Sequence, residues 1–490
     1  MKIITASQMR RLDQVAIKQH GIAANTLMDK AGQQLAKVAA NYFNVTDIIG
    51  VLAGPGNNGG DALVAAGYLK SQGFQVREFP IDAAALQAKV VSPQMQKKLS
   101  ECSGFIDGLF GVGLNRKLGS FAIELINLIN SSNKLVLSAD IPSGINADSG
   151  EMQGAAIKAN HTITFALPKP GLFLRAGLDC SGKITVADIG IPQVEIAKIP
   201  SKLEFINSEN FAKDFPARNK DTHKGSCGHT ILFAGHASML GAGYMASLAA
   251  LRVGSGLVTY ALPASSFKKF DARFPEIMPE SVPDNNKGEF NLQGKSTVET
   301  LLQKKTVAAI GPGIGTSKET IAFIEWLLTN INLPMVLDAD ALNCLQNKTA
   351  LLSRRSAPTI ITPHPGEMAR LLNIDIATLK QNRDILAAEF AQTHQVYLIL
   401  KGAHSLLATP EGKIYINSTG NPGMASAGMG DALTGIVAGF LAQGISPCAA
   451  ACAAIYVHGL AGDIAAEKSA HLITSDVIDL LPIAMQRSGI

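Results

Sequence analysis

Twice in this chain a glycine cluster opens directly onto an apolar helical stretch: "GPGNNGGDALVAAGYL" from Gly54 and "GNPGMASAGMGDALTG" from Gly420. Glycines at a helix N-terminus leave backbone N–H groups uncovered at the positive end of the helix dipole, a place suited to phosphate or another anion. A fold that carries two such openings has to hold each at the end of a rigid element. Around the first, the rest of the pattern supplies that element. "IIGVLAG" (Ile48 to Gly54) has the length and apolar content of a buried strand, and "GDALVAAGYLKSQG" reads as the helix after it, ended by Gly73. "QVREFPI", "GFIDGLFG", "NKLVLSAD" and "GKITVADIG" continue as strands, with helical stretches near Pro93 to Ser100 and Phe121 to Ser131. Strands alternating with helices predict a parallel sheet covered on both faces, with the loops after the strands gathered along one ligand-binding edge.

The stretch "IGIPQVEIAKIPSKLEFINSENF" is weakly patterned and carries prolines, and a domain boundary is expected within 195–210. The alternation then restarts with "GHTILFAG", "GLVTYALP", "VAAIGPG", "PMVLDAD", "PTIITPH" and "VYLILKGAH". At 490 residues the chain exceeds what one compact core holds, and two domains are expected, over 1–207 and 208–490. Both halves are α/β, with different motif content and no internal repeat.

With 47% hydrophobic and 17% charged residues the composition is that of a globular α/β enzyme. A net charge of +4 without a Lys/Arg run argues against a nucleic-acid partner. Cys102, Cys180, Cys227, Cys344, Cys448 and Cys452 form no CxxC, and their scatter points to a reducing, cytoplasmic setting. No apolar leader follows Met1. Residues 432–462 lack Lys, Arg, Asp and Glu, but Gly444, Ser446 and Pro447 divide them into two pieces too short to span a bilayer, so two buried helices joined by a turn are expected and no membrane association.

Three strand ends in the first half carry chemistry. The loop Gly54–Gly60 departs from the G-x-G-x-x-G fingerprint, and its Asn57 and Asn58 add amide oxygens and donors that a plain turn does not require. "FIDGLFGVGLNRK" places Asp107 at a strand terminus, followed by Gly111 to Gly113 with Arg116 and Lys117; "LVLSADIPSG" places Asp140 and Ser143 at the next. If these strands are neighbours, Asn58, Asp107, Asp140 and Ser143 meet on one edge, where oxygen ligands suit a hard cation and a carboxylate can act as acid or base. A lone Asp in such a place is more often a cap or turn former, a reading that three strand ends in one domain weaken.

These residues resemble a family. "NNGGD", "DGLFGVGL" and "DIPSGINADSG", with "QMRRLDQ" from Gln8 and "KPGL" from Lys169, look like the YjeF amino-terminal domain, the NAD(P)H-hydrate epimerase. The resemblance covers residues 1 to 200 and implies a Rossmann-like three-layer domain. It implies contact with the hydrated nucleotide by Asn57, Asn58, Gly59, Gly60 and Asp61, and by Gly111, Val112, Gly113, Leu114, Asn115, Arg116 and Lys117. It further implies K+ at Asn58, Asp107 and Ser143, and Asp140 as the acid/base that interconverts the R and S epimers at C6 of the damaged nicotinamide ring. Ala62 stands where the family usually has glycine.

In the second half, the N–H groups of Gly428 to Asp431 can gather at the start of "DALTGIVAGFLAQG" and stabilise the oxygens of a transferring phosphoryl group, with Asp431 beside them as general base. The plainer alternative is that Asp431 caps its helix. "GEFNLQGKS" (Gly288 to Ser296) has five residues between its glycines where a phosphate-binding Walker loop needs four, and is rejected. Further strand ends offer Gly311 to Gly315, Asp338 and Asp340, His364 and Glu367, and Lys401 with Ser405.

"HKGSCGHTILFAGHASMLGAGYMAS", "GPGIG", "TPHPGEMARLL", "KGAHS" and "NPGMASAGMGD" are similar to the ribokinase-like superfamily, and more closely to its ADP-dependent NAD(P)H-hydrate dehydratase branch. The resemblance spans 210–490. It implies a ribokinase-like α/β domain that binds ADP, with Mg2+, through Lys401, Gly402, Ala403, His404, Ser405 and Gly430. Ala242, Gly313, His364 and Asp431 would face the hydrate. Ser405 replaces the usual threonine and keeps the hydroxyl. The expected activity is repair of NADH hydrate and NADPH hydrate, epimerisation by one half and dehydration by the other, in a homo-oligomer. Two alternatives remain at this level: a small-molecule kinase of the hydroxyethylthiazole type in the second half, since "GMGD" is shared across the superfamily, or a chemically idle binding module in the first.

Overall fold

A computed structural model describes residues 1–217, 219–270 and 275–490. They fall into two compact units, Met1–Leu203 and Glu204–Ile490.

In the first unit six strands, β1 (Ile48–Ala53), β2 (Gln75–Pro80), β3 (Gly104–Gly108), β4 (Leu135–Ala139), β5 (His161–Phe165) and β6 (Lys183–Ala187), form a parallel sheet in the order β2-β1-β3-β4-β5-β6. One face is covered by α1 (Ala6–His20), α2 (Ala24–Ala39) and α3 (Asn57–Ser71), through a core that includes Leu12, Leu35, Ala62, Leu69 and Ile106. The other is covered by α4 (Ser120–Ser131) and by the expected short helix Pro93–Ser100, through Leu99, Phe105, Leu125 and Ile129. Local chemistry fixes the helix ends: Thr5 and Gln8 form a capping box at the start of α1, and Gly21 ends it with φ 65°. From β1 the chain goes first to β2 on one side and then to β3 on the other. This reversal opens a crevice beyond the carboxyl ends of β1 and β3.

The second unit repeats that logic on a larger sheet. Its strands are β7 (His229–Phe233), β8 (Leu257–Pro263), β9 (Ile277–Val282), β10 (Val307–Ile310), β11 (Met335–Leu337), β12 (Thr359–Ile361), β13 (Tyr397–Leu400), β14 (Leu406–Ala408) and β15 (Ile414–Ile416). They lie in the order β9-β8-β7-β10-β11-β12-β13-β14-β15, parallel as far as β13 and antiparallel beyond it. The reversal falls between β7 and β10. Its helices include α5 (Leu240–Arg252), α6 (Pro365–Leu372), α7 (Arg383–His394), α8 (Met429–Ala442) and α9 (Pro447–Ala466).

Helix α8 is buried along nearly its whole length and lies against α5 at backbone distance. A Cβ on Gly435 would stand 2.0 Å from Ala246 O, and one on Gly439 2.6 Å from Val253 Cγ2. Gly435→Ala therefore has to push the helices apart, and a loss of about 1–3 kcal/mol is expected, read as a lower urea midpoint. The charge-free stretch forms two helices, α8 and α9, joined through Gly444 (φ 82°), as the sequence predicts. Helix α9, however, runs 20 residues rather than the shorter piece expected. It continues past Asp463 because that carboxylate is satisfied on the outside, by Gly420 N and Asn421 Nδ2, both at 2.9 Å. By length and composition α9 could cross a membrane, but 72% of its apolar window is buried inside the fold, as in a core helix.

Strands β5, β9, β14 and β15 are absent from the sequence reading. β14 and β15 have three residues each, too few to show a period, and β9 is an edge strand with Pro279 inside it. β9 ends at Val282, and the segment Gly288–Ser296 follows as a turn and a helix start rather than a strand-borne phosphate loop.

Candidate active sites

In the first unit the crevice is a cavity of about 630 Å³. Its floor is the junction of two loops so close that side chains are excluded. A Cβ on Gly54 would stand 1.9 Å from Leu109 O, and one on Gly59 1.9 Å from Gly54 O. The glycines thus serve close backbone approach. Gly56 occupies the N-cap of α3 with no side-chain cap, leaving the first N–H groups of that helix to the cavity. Ala62 is accommodated by Gly108 beneath it, where a Cβ would lie 2.5 Å from the Ala62 methyl group; the pair exchanges which strand or helix supplies the small residue.

Asn57, Asn58, Asp61, the run from Gly111 to Arg116, and Asp140 all line this cavity, so most of the expected substrate residues are brought together. Gly59, Gly60 and Lys117 stand outside the lining: Gly59 faces Gly54, Gly60 faces Met28, and Lys117 is exposed. Asn58, Asp107 and Ser143 do converge. Asn58 Nδ2 donates to Phe110 O at 2.9 Å, and Ser143 Oγ accepts from Phe110 N at 2.8 Å. Asp107 is completely buried, and its carboxylate accepts from Ser138 Oγ, Ser143 Oγ, Ser143 N and Leu109 N. Burial raises the Asp107 pKa and these donors counter it.

Asp140 sits just past β4 with φ 60°, a backbone strain that aims its side chain at the crevice. Its Oδ1 accepts from Thr164 Oγ1 (3.0 Å), Phe165 N (3.1 Å) and the ammonium of Lys169. Lys169 is 0% exposed and also donates to Phe165 O. The sequence carried Lys169 only as part of a motif; its pairing with Asp140 and the cavity-lining position of Asp13 are additions from the structure.

In the second unit the ends of β10, β11, β12 and β13 contribute to one group. After β10, Gly313 (φ 60°) comes against the start of α5: a Cβ there would stand 2.8 Å from Met239 Cβ and 3.4 Å from Ala242 Cβ, so Ala242 and Gly313 form one wall. After β12, His364 caps α6. Its Nδ1 accepts from Gly366 N (2.9 Å) and Glu367 N (3.3 Å), and Glu367 Oε2 accepts from His364 N (2.8 Å). Burial, helped by Lys401 and Arg370, lowers the His364 pKa, with Asp338 opposing. The capping role the sequence allowed for His364 is real, and it coexists with a place beside Lys401 and Glu367, whose charged atoms lie 3.9 Å apart.

After β13, Lys401 Nζ donates to Asp338 Oδ1 at 2.7 Å. Asp338 Oδ2 accepts from Thr434 Oγ1 of α8 at 2.8 Å. The ammonium ends near the N-terminus of α8, 3.2 Å from where a Cβ on Gly430 would stand. Ala403 and His404 present their carbonyls to Arg383 of α7, at 3.1 and 2.9 Å, and Ser405 Oγ donates to Gly402 O at 3.0 Å. The loop Lys401–Ser405 is thereby pinned from behind. Asp338 was offered by its strand end, but Thr434 and Arg383 escaped the sequence reading because no local pattern links them to their partners.

Asp431 does not cap α8. Gly428 (φ 91°) is the N-cap, Asp431 lies in the first turn, and its carboxylate has no hydrogen-bond partner among the described residues. Burial first, then the charge of Asp338, raise its pKa to about 7, with Lys401 opposing. It is poised to take a proton at neutral pH. Removing the Asp338 charge lowers that value, so in Asp338→Asn the rise of activity with pH is expected to move below pH 7 in the pH–rate profile.

Two α/β units, each ending its strands in an uncapped helix N-terminus beside a strained or unpartnered carboxylate, define a fusion of two nucleotide-directed domains. Residues 24–171 match the family described as YjeF-related protein N-terminus, and residues 230–482 match NAD(P)H-hydrate dehydratase. The chain is 36% identical, over 99% of its length and 97% of the relative's, to the bifunctional NAD(P)H-hydrate repair enzyme Nnr of Moorella thermoacetica. It is 34% identical, over 99% and 96%, to that of Thermofilum pendens. Among solved structures it is similar to an ADP/ATP-dependent NAD(P)H-hydrate dehydratase from Bacillus subtilis co-crystallized with ATP/Mg2+, at 29% identity and TM-score 0.50, covering 58% of this chain and 98% of that one. The chain belongs to the bifunctional NAD(P)H-hydrate repair enzyme family.

Proposed function

We propose that residues 1–207 epimerise (R)- to (S)-NAD(P)H hydrate and that residues 208–490 dehydrate the S form to NAD(P)H with ADP, yielding AMP and phosphate. The observation that carries this reading is the occurrence of both strand-end sites in one chain that aligns almost end to end with bifunctional repair enzymes. In the first unit Asp140 is the acid/base, held in place by Lys169, with the hydrate bound by Asn57, Asn58 and Asp61 and by the run from Gly111 to Arg116. The oxygens of Asn58, Asp107 and Ser143 suit a hard monovalent cation, and K+ is assigned to them to brace the loop on which Phe110 and Gly111 lie.

In the second unit Ala242, Gly313 and His364 face the hydrate. Asp431 takes the proton from the ring hydroxyl as its oxygen attacks the β-phosphorus of ADP; the bridging P–O bond breaks and AMP leaves. Phosphate then departs from the ring carbon with its electron pair while a proton is lost from the adjacent carbon, restoring the dihydronicotinamide. Lys401, Gly430 and the N-terminus of α8 bind and stabilise phosphoryl oxygens, and Gly402, Ala403, His404 and Ser405 hold the rest of the nucleotide. Mg2+ would neutralise nucleotide phosphates. A reducing, cytoplasmic setting fits six free cysteines.

The test is stoichiometry. (S)-NADH hydrate with ADP and Mg2+ is expected to give AMP, inorganic phosphate and NADH in equal amounts. Accumulation of a stable phosphorylated product without phosphate release would favour a small-molecule kinase instead.

A further inference from the structure

Two carboxyl groups of the amino-terminal cavity, Asp61 and Asp13, carry no step of the epimerisation through Asp140 alone. Asp61, on α3, is 9% exposed, lines the cavity and has no hydrogen-bond partner among the described residues. Asp13, half-buried on α1, lines the same cavity and is equally without one among those residues. They contrast with Asp140, whose carboxylate is tied by three donors including Lys169. A carboxyl that is nine-tenths buried and unpaired is costly to ionise, and can stay in such a place by keeping its proton. The charged groups that act on Asp61 point the same way. Burial is the largest cause, the charges of Asp140 and Asp13 add to it, Lys169 opposes, and the pKa rises to about 8. Asp13, also governed by burial, rises to about 6 and so is largely ionised above neutrality. Arg10 and Arg116 are the other charged groups in the cavity wall.

We propose that Asp61 is the proton donor of the epimerisation, working with Asp140 as proton acceptor, and that Asp13 is a positioning residue acting on Asp61 through its charge. This rests on the epimerase reading above. The reacting carbon bears a hydroxyl and the ring nitrogen, so a base and an acid together can open the ring. Asp140 takes the hydroxyl proton, the C–O bond becomes a carbonyl, and the carbon–nitrogen bond breaks. Its electron pair stays on nitrogen, which receives the proton of Asp61. Rotation about the adjacent carbon–carbon bond presents the other face of the aldehyde. Reclosure returns one proton to oxygen from Asp140 and one from nitrogen to Asp61. Atoms and charges balance, no further reactant enters, and both carboxyls end as they began. The cycle needs one ionised and one protonated carboxyl in a single cavity, which two equally paired aspartates would not provide.

The experiment uses the full-length chain at fixed K+ concentration. Dehydration of (S)-NADH hydrate by the carboxy-terminal half of the same molecule reports that each variant is folded. Epimerisation of (R)-NADH hydrate is measured above the uncatalysed rate. Asp61→Asn is expected to lower it at least about 100-fold, with dehydration of the S form unchanged. In the wild type the epimerase rate falls as pH rises through about 8, because Asp61 loses its proton there. Asp13→Asn removes a like charge, Asp61 then releases its proton more readily, and the fall moves to lower pH; a purely structural role for Asp13 would leave it in place. An Asp61→Asn variant that epimerises at the wild-type rate, or an alkaline limb unmoved in Asp13→Asn, overturns the proposal. A wild type no faster than the uncatalysed reaction overturns the epimerase reading itself, and this proposal with it.

Discussion

Asp431→Asn is expected to lower kcat for dehydration of the S hydrate by about 10²–10⁴-fold while epimerisation by the same molecules continues. The size follows from what the carboxylate does. It lies in the first turn of α8 with no hydrogen-bond partner among the described residues, so the substitution removes a proton acceptor without breaking a hydrogen bond. The amide is nearly isosteric and cannot accept a proton at neutral pH. The wild-type rate should rise with pH through about 7, since burial and the Asp338 charge raise the Asp431 pKa to that region and only the ionised form is a base. In the variant this ascending limb should vanish. Retention of full activity would leave Asp431 a half-buried helix-end charge with no part in proton transfer.

Lys169→Met is expected to have the second largest effect, on stability and activity together. The ammonium is 0% exposed and serves the Asp140 carboxylate, Thr164 Oγ1 and Phe165 O. Its removal leaves a buried carboxylate with only Thr164 and Phe165 as donors. Breaking a buried pair on one side costs about 3–5 kcal/mol, and the epimerase should be lost with it. A urea titration of wild type and variant checks the first effect, and turnover of the R hydrate the second. An unchanged midpoint would mean that Asp140 needs no counter-charge.

How much of this was legible in the sequence depended on chain distance. The glycine loop after β1, Asp107 and Asp140 stand directly after apolar runs, and local pattern was enough to place them on one edge. The same holds for Gly311–Gly315, His364, Lys401 and Asp431. What was hidden is long-range. Asp140 meets Lys169 across 29 residues, and Asp338 meets Lys401 and Thr434 across 63 and 96. No spacing encodes such partners. Asp13 lies in the middle of an amphipathic helix, away from any glycine loop, and only the packing of α1 turns it toward the cavity. Ala62 read as a departure from a glycine position, and Gly108, 46 residues later, supplies the space it takes. Short strands such as β14 and β15 fell below the length at which alternation can be recognised.

The central claim, that one chain restores both epimers, is tested most directly by the absorbance at 340 nm of a mixture of R and S NADH hydrate given wild-type protein, ADP, Mg2+ and K+. Recovery of the full NADH absorbance, faster than spontaneous epimerisation permits, is the predicted result. A rapid rise that stops at the S fraction, with the R form left to convert at its uncatalysed rate, would contradict it.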